Sequence, residues 1–512
     1  MTSSTDRRMK RRRLLKFGLA GVGLAAVGGG GFVTYQMISA KVDTVGSVDF
    51  TNPLRIPDLE PGQVDDSGTR IFDLHMAPGE SRIKPGSPTR TWGFNGDHLG
   101  PTLRARRGEV VRVNVRNSLP ETSSVHWHGM HLPAIMDGGP HQSVEPLDTW
   151  TPEWTIDQPA ATLWYHPHPH GSTAKHVYQG LAGLFILDDD EVDNLDLPDE
   201  YGVDDIPLII QDRAFDGDNQ LDDAANLFSG IGVLGDEILV NGTHSPYLDV
   251  TTRRVRLRLL NGSNARVFNF GFADDRPFVV IGSDGGLLPA PHSLRRLQLS
   301  PGERAELLVD FTPGETVVLR SYSPDLRTDF FESRSHGGDD TFDILQFRAA
   351  DTLTDVESIP DELVPVPAID IEQAVTTRTF EMAGYSLNRE TMDMNRIDFA
   401  VNKDDIEIWE IENQDASVHN FHVHDVQFQV LSIGDQPPPP HEAGWKDTVQ
   451  VYHGSPVRIA LQFKDFSDPN MPYMCHCHIL YHEDQGLMAQ FVVLDEGEDI
   501  GSVPSGHDDH HG

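Results

Sequence analysis

The segment "MCHCHILYHEDQGLM", residues 474–488, holds both cysteines of a 512-residue chain, together with His476, His478, His482 and the acidic pair Glu483–Asp484. A disulfide between Cys475 and Cys477 would close a tiny, strained ring, so cross-linking is not their role. Three more His-X-His pairs stand elsewhere: His126/His128 in "HWHG", His166/His168 in "WYHPHPHG" and His422/His424 in "HNFHVH". In an extended strand residues i and i+2 point to one face about 6.6 Å apart, so each of the four pairs reaches two adjacent metal ions rather than chelating one. Eight imidazoles on four strands describe a polynuclear cluster. By the same alternation Cys477 points away from its neighbours, and with His419 and His482 it makes a His2Cys set, the ligand class of a blue-copper electron-transfer site. One peptide segment then links a thiolate site to the cluster through either flanking histidine.

Such ligands need strands to carry them. "EVVRVNVRNSL" alternates Val111, Val113 and Val115 with Arg112, Asn114 and Arg116, and similar half-buried patterns recur in "RRVRLRLLNGS", "RAELLVDF", "DIEIWEIENQ" and "SPVRIALQFK". Pro and Gly punctuate them and no long amphipathic helix intervenes, which predicts an all-β array of sandwiches or barrels. "GEVVRVNVRNSLPETSSVHWHG", "TRRVRLRLLNGSNARVFNF" and "KDDIEIWEIENQDASVHNFHVH" each run strand, Asn, short turn, second strand, as copies of one unit. They predict domains at 41–195, 196–355 and 356–500, joined by the acidic "DDDEVDNLDLPDE" and the proline-bearing "DTLTDVESIPDELVPVPAID". Two His pairs fall in the first domain and two in the third. The cluster is therefore expected where those two meet, with the middle domain as a spacer.

The chain carries 40 Lys+Arg against 79 Asp+Glu, and its first 40 residues hold seven of those basic groups and one acid, leaving −45 on the remainder. Such a surface excludes a nucleic-acid partner, repels anionic lipid and steers cations inward. Acids scattered along the whole chain fit a source adapted to high salt, where ions screen charge within roughly 3 Å at 1 M. At the N-terminus "RRRLLKFGLAGVGLAAVGGGGF" sets paired arginines before a weakly apolar Gly/Ala run, the pattern of a twin-arginine export signal over residues 1–40, cut near Ala40 or retained as a membrane anchor. Residues 501–512, ending "GHDDHHG", read as a disordered acidic His tail. An exported chain with two cysteines does without a disulfide framework.

Nearly the whole mature chain resembles the three-domain multicopper oxidases, specifically the bacterial and archaeal group of spore-coat laccases, cuprous oxidases and bilirubin oxidases. The resemblance rests on "HWHG", "HPH", "HNFHVH" and "HCHILYH" in that order, with flanking matches in "NGDHLGPTLRARRGE", "DGGPHQSVEP", "MDMNRID" and "AGWKDTV". It implies three cupredoxin-like Greek-key β-domains, four copper ions, O2 as acceptor, a small-molecule or metal-ion reductant and a monomer; with the composition it implies a halophilic archaeal source. Residue by residue, it implies that His419, Cys477 and His482 bind the type 1 copper and that His126 and His422 bind the type 2 ion. His128, His166, His168, His424, His476 and His478 would hold the type 3 pair. Asp137 and Glu483 occupy positions from which the family delivers protons for O2 reduction, and a carboxylate that orients a ligand histidine is the other reading of each. Asp415, four before His419, reads either as part of the face where a reducing substrate docks or as one more solvated surface acid.

One position departs from the family pattern. The axial type 1 residue, ten after the cysteine and often methionine, is Leu487, with Met488 one step beyond. A leucine there leaves a three-coordinate copper of raised reduction potential, whereas a shifted turn would bring Met488 to the metal. His131, His141 and His170 stand beside the motifs but outside their register and read as supporting or surface residues, and Cys475 reads as a packed neighbour. The function that follows is an exported, laccase-like oxidation of phenols and aromatic amines. The alternative within enzymes is a cuprous or other metal-ion oxidase, although "MDMN" is too short for the methionine-rich insert expected for Cu(I) capture. Outside enzymes, a copper-binding protein or a non-catalytic cupredoxin scaffold shares the fold.

Overall fold

Strands form six sheets, two in each of three successive units, in a computed structural model that describes residues 41–224, 230–356 and 358–504. The predicted export signal and the tail beyond residue 504 lie outside the described residues. Among those residues the longest helix, Thr173–Gln179, has seven residues, and no helix is long and apolar enough to cross a membrane. Each unit buries one main apolar core between its two sheets.

The sequence echo has a structural cause. The strands Val110–Asn117, Arg254–Asn261 and Ile406–Asn413 occupy matching places in the three units, and each ends in a buried asparagine. Asn117, Asn261 and Asn413 each accept from the amide two residues on, at 2.8, 3.1 and 2.8 Å. Each also donates to a carbonyl four or five residues ahead and to a second carbonyl on a distant segment. An Asn side chain can thus replace the missing ladder partners of a sharp turn. In the third unit that turn delivers Asp415, Ser417 and then His419.

The middle copy breaks the half-buried pattern. Arg256 and Arg258 alternate with Val255, Leu257 and Leu259, yet both arginines are buried. Arg256 Nε donates to Glu306 at 2.8 Å, Arg258 Nε to Asp205 at 2.7 Å, and Thr162 of the first unit donates to Glu306 at 2.6 Å. This sheet is covered on both faces because the first unit docks on the face that alternation marks as outer. A first-domain start at 41 also differs from the strand pairing: Asn52–Pro53 runs parallel to Pro246–Thr252, and Val42 and Leu54 pack into the middle core. Both linkers lie on the middle unit as well, with Leu195, Leu197, Ile359 and Leu363 against Ile281, Leu287 and Leu308.

Strand register brings the histidine pairs together. His126–His128 runs antiparallel to Ala161–His166 with His126 opposite His166, and His419–Val423 runs antiparallel to Asp468–His476 with His422 opposite His476. Two pairs of adjacent strands, one in each terminal unit, therefore face each other across the domain boundary.

Candidate metal centres

The thiolate site is built within the third unit. His419 opens the strand His419–Val423, Cys477 follows the strand Asp468–His476, and His482 lies in the short helix Leu480–Asp484. Cys477 Sγ is 3.6 Å from Nδ1 of both His419 and His482, and those nitrogens are 3.1 Å apart. A point about 2.0 Å from all three atoms exists in that triangle, the length of a metal–nitrogen bond. Both imidazoles are fixed from behind: His419 Nε2 donates to Asp415 Oδ2 at 3.2 Å and His482 Nε2 to the Gly230 carbonyl at 3.1 Å. Donation from Nε2 leaves each Nδ1 a lone pair aimed at the sulfur. Burial raises the Cys477 thiol to about 12 and holds His482 well below its ordinary value. A pocket of neutral donors that closes around one point is a site for a cation, which in turn stabilises the thiolate.

Leu487 and Met488 face opposite ways. Leu487 is fully buried in the cluster that contains Cys477, accepts the Cys477 amide at 3.1 Å and donates to the His482 carbonyl at 3.0 Å. Met488 stands opposite His476 in the antiparallel register and packs with other methionines. Cys475, also buried and unpaired, shares the Cys477 core, and burial raises its thiol far above the usual range.

The eight paired histidines converge on the boundary between the first and third units, all buried. Nε2 of His126 and His422 face at 3.5 Å. His166 Nε2 lies 3.4 Å from both His128 Nδ1 and His478 Nε2. His476 Nε2 lies 3.2 Å from His168 Nε2 and 3.1 Å from His424 Nε2. The two members of every His-X-His pair thus fall into different groups. Six of the eight spend their other nitrogen as a donor: His126 to the Asp137 carbonyl, His166 to Pro167, His422 to Asp447, His476 to Cys477, His128 to the Asp447 carboxylate and His424 to the Asp137 carboxylate. Their inward nitrogens are therefore lone pairs pointing at lone pairs, which fits ligands around cations and not hydrogen bonds. Desolvation holds His128, His166, His168, His422, His424 and His478 well below the usual range and His476 at about 3, so these rings stay neutral.

Two acids touch this cluster. Asp137 Oδ2 accepts from His424 Nδ1 at 2.6 Å, while its buried Oδ1 has no hydrogen-bond partner. Glu483 sits 3.4 Å from His476 Nδ1 and 3.5 Å from His168 Nδ1, with both buried oxygens unpartnered. Burial, reinforced by Asp484, raises the Glu483 carboxyl far above the ordinary range.

The middle unit proves to be more than a spacer. Its Arg304 donates from Nη1 and Nη2 to the two Asp447 oxygens at 2.7 and 2.6 Å, and Asp447 Oδ1 in turn accepts from His128 Nε2 at 3.0 Å. That bond makes Nδ1 the free nitrogen of His128. Gly129 completes the fit, since a Cβ there would stand 2.6 Å from Asp447 and 2.7 Å from Arg304. Asn420 accepts the His478 amide at 2.7 Å and donates to Pro301 and Ser300 of the middle unit at 2.8 and 3.0 Å. Arg304, Asp447 and Asn420 escape sequence reasoning because their types are ordinary; Asp447 in "AGWKDTV" and Asn420 in "HNFHVH" sit inside motifs, whereas Arg304 carries no local signal.

The remaining expectations resolve individually. Asp415 is half-buried, and its bond from His419 holds it below the usual carboxylate range. His131 is buried between Asp425 and Asp465 at 2.8 and 3.2 Å, His141 contacts Gln490 at 2.8 Å, and His170 is exposed; none joins the cluster.

A cysteine-containing site joined by one peptide to an eight-imidazole cluster, on three two-sheet units, defines a copper-dependent oxidase. Models of the multicopper oxidase family match residues 75–192, 212–323 and 365–497. The multicopper oxidase mco of Staphylococcus haemolyticus is 34% identical over 448 residues, 86% of this chain and 92% of that protein. The cell division protein FtsP of Xenorhabdus nematophila is 36% identical over 417 residues, 80% and 86% of the two chains. A laccase of Pediococcus acidilactici has a crystal structure similar at a TM-score of 0.78 and 37% identity, covering 87% of this chain and 94% of that one. The chain belongs to the multicopper oxidase family: three cupredoxin-like β-domains, copper as cofactor, and oxidation of a small-molecule reductant by O2.

Proposed function

We propose that this protein is an exported, laccase-like oxidase with four coppers that takes single electrons from phenols or aromatic amines and reduces O2 to water. When bound, copper supplies one-electron acceptance at the thiolate site and O2 reduction at the cluster. His419, Cys477 and His482 would hold the type 1 ion, His126 and His422 the type 2 ion. His128, His166 and His478 would hold one type 3 ion and His168, His424 and His476 the other. The facing nitrogens support this grouping, and the complete donor set argues against a scaffold that has lost catalysis. The orientation of Leu487 into the Cys477 core supports a type 1 site without an axial thioether.

The surrounding residues do the rest. Cys477 is bonded through the main chain to His476 and His478, a covalent link between the two centres. Glu483, its carboxyl raised by burial and facing His168 and His476, donates protons inside the cluster. Asp137 orients His424 and keeps one free oxygen to accept or pass a proton.

The observation that carries the substrate class is the rim of the thiolate site. Tyr385 lies 5.6 Å from the His482 ring and 5.8 Å from Tyr481, its hydroxyl donates to the same Gly230 carbonyl that fixes His482, and Asp415 backs His419. Aromatic faces beside a carboxylate suit a flat ring bearing an acidic O–H or N–H. Oxygen uptake by copper-loaded protein with syringaldazine tests this reading. Sustained uptake supports it; a loaded blue protein that oxidises Cu(I) but no phenol or arylamine would transfer the assignment to metal ions, the reading that the −45 charge favours. Export rests on the paired arginines of the first 40 residues.

A further inference from the structure

Four methionines from three segments meet in a cluster that holds no other apolar residue. Met474 and Met488 lie on adjacent strands, and Met392 and the half-buried Met394 come from the loop that covers them. Residues 41–512 contain nine methionines, so four in one patch is not a reflection of composition. A plain apolar plug would be filled as well by leucine or phenylalanine, which hold better-defined rotamers. What methionine adds is a polarizable thioether, a soft donor of the kind that selects Cu(I).

The location gives that chemistry a purpose. Met488 stands directly opposite His476, and a Cβ at Gly139 would be 3.6 Å from both the Met474 methyl and Asp137 Oδ2. The patch therefore adjoins the histidine cluster on its Asp137 side, while Met394 reaches toward solvent. The covering loop is held by its main chain: the Met392 amide donates to Gly486 at 3.0 Å, and buried Gln490 donates to the carbonyls of Asp393 at 3.0 Å, Met394 at 3.3 Å and Arg396. A backbone pinned in this way directs the two thioethers onto Met474 and Met488.

We propose that Met392, Met394, Met474 and Met488 form a thioether site for one Cu(I) ion, separate from the thiolate site and the histidine cluster and placed between that cluster and solvent. The test uses copper-loaded protein in its oxidised form, free of added reductant in chloride-free buffer, titrated with Ag(I) as a stand-in for Cu(I), with copper content followed alongside. X-ray absorption at the silver edge is expected to show one tightly held equivalent ringed by sulfur, with no copper displaced. Met392→Leu/Met394→Leu preserves apolar volume and is expected to lose that equivalent while keeping the blue band. Should the double variant lose its blue band, Met394→Leu alone, at the half-buried position, gives the same comparison. Silver held only by nitrogen or oxygen, or sulfur-bound silver undiminished in the folded variant, would overturn the site.

Discussion

The thiolate site draws its three candidate donors from residues 419–482 of one unit, whereas the histidine cluster draws eight from two units and leans on Arg304 of a third. The first takes all three donors from one β-sandwich and reaches outside it only through the bond from His482 to Gly230 of the middle unit. The second exists only when all three units have docked, because His128 is oriented by Asp447 across one boundary and Asp447 is neutralised by Arg304 across another. A carboxylate buried without its partner charge costs several kcal/mol, so this junction selects the docked arrangement. Short-range ligation and long-range assembly are thus separable by mutation, even though a single peptide joins them.

The sharpest break comes at the joining peptide. Cys477→Ser is expected to abolish the blue thiolate band and phenol oxidation while type 2 and type 3 copper stay bound, as read by metal analysis and electron paramagnetic resonance. Glu483→Gln removes the proton and leaves both sets of ligands. Reoxidation of the reduced protein by O2 should slow about 10²–10⁴-fold, the usual contribution of a positioned acid, with an unchanged blue band; reoxidation at the normal rate would exclude the donor role.

Arg304→Met reverses the first experiment. It leaves Asp447 buried and unpaired, so cluster copper should bind about 10–100-fold more weakly while the blue band persists. Equal loss from both centres would mean that they do not assemble independently. Leu487→Met acts within the thiolate site alone: an added thioether stabilises Cu(II), lowering the potential by about 59 mV for every tenfold preference gained. An unchanged potential would remove Leu487 from the axial position.

The smallest effect concerns docking of the first and third units through His131. Burial opposes its charge, but Asp425 and Asp465 outweigh burial and raise it to about 9. A raised folded-state value means that this contribution is complete below the ordinary histidine range, near about 6.5, and is lost as pH rises through about 9. His131→Gln should therefore lower the melting temperature by a few degrees at pH 6, with the difference from wild type vanishing by pH 10.

Much of this was legible in the chain because the relevant periodicities are local. Alternation in "EVVRVNVRNSL" and its two echoes marks the strands, and the repeated Asn117, Asn261 and Asn413 mark the turn that each unit reuses. The same alternation misreads Arg256 and Arg258 as solvent-facing, because a strand pattern cannot tell water from a docked neighbour bearing Thr162. The domain start predicted at 41 places Asn52 in the first domain, since chain order carries no trace of a parallel pairing made 194 residues away with Pro246.

By itself the sequence determined the donor types, their two-residue spacing and hence which side chains can share a strand face, since these follow from backbone geometry alone. Only the tertiary structure decided which nitrogens face which, that Leu487 joins the large core that holds Cys477 while Met488 joins the methionine patch, and that Arg304 stands behind His128. Those outcomes depend on register between distant strands and on charge neutralised across domain boundaries, and neither is written in any short stretch of chain.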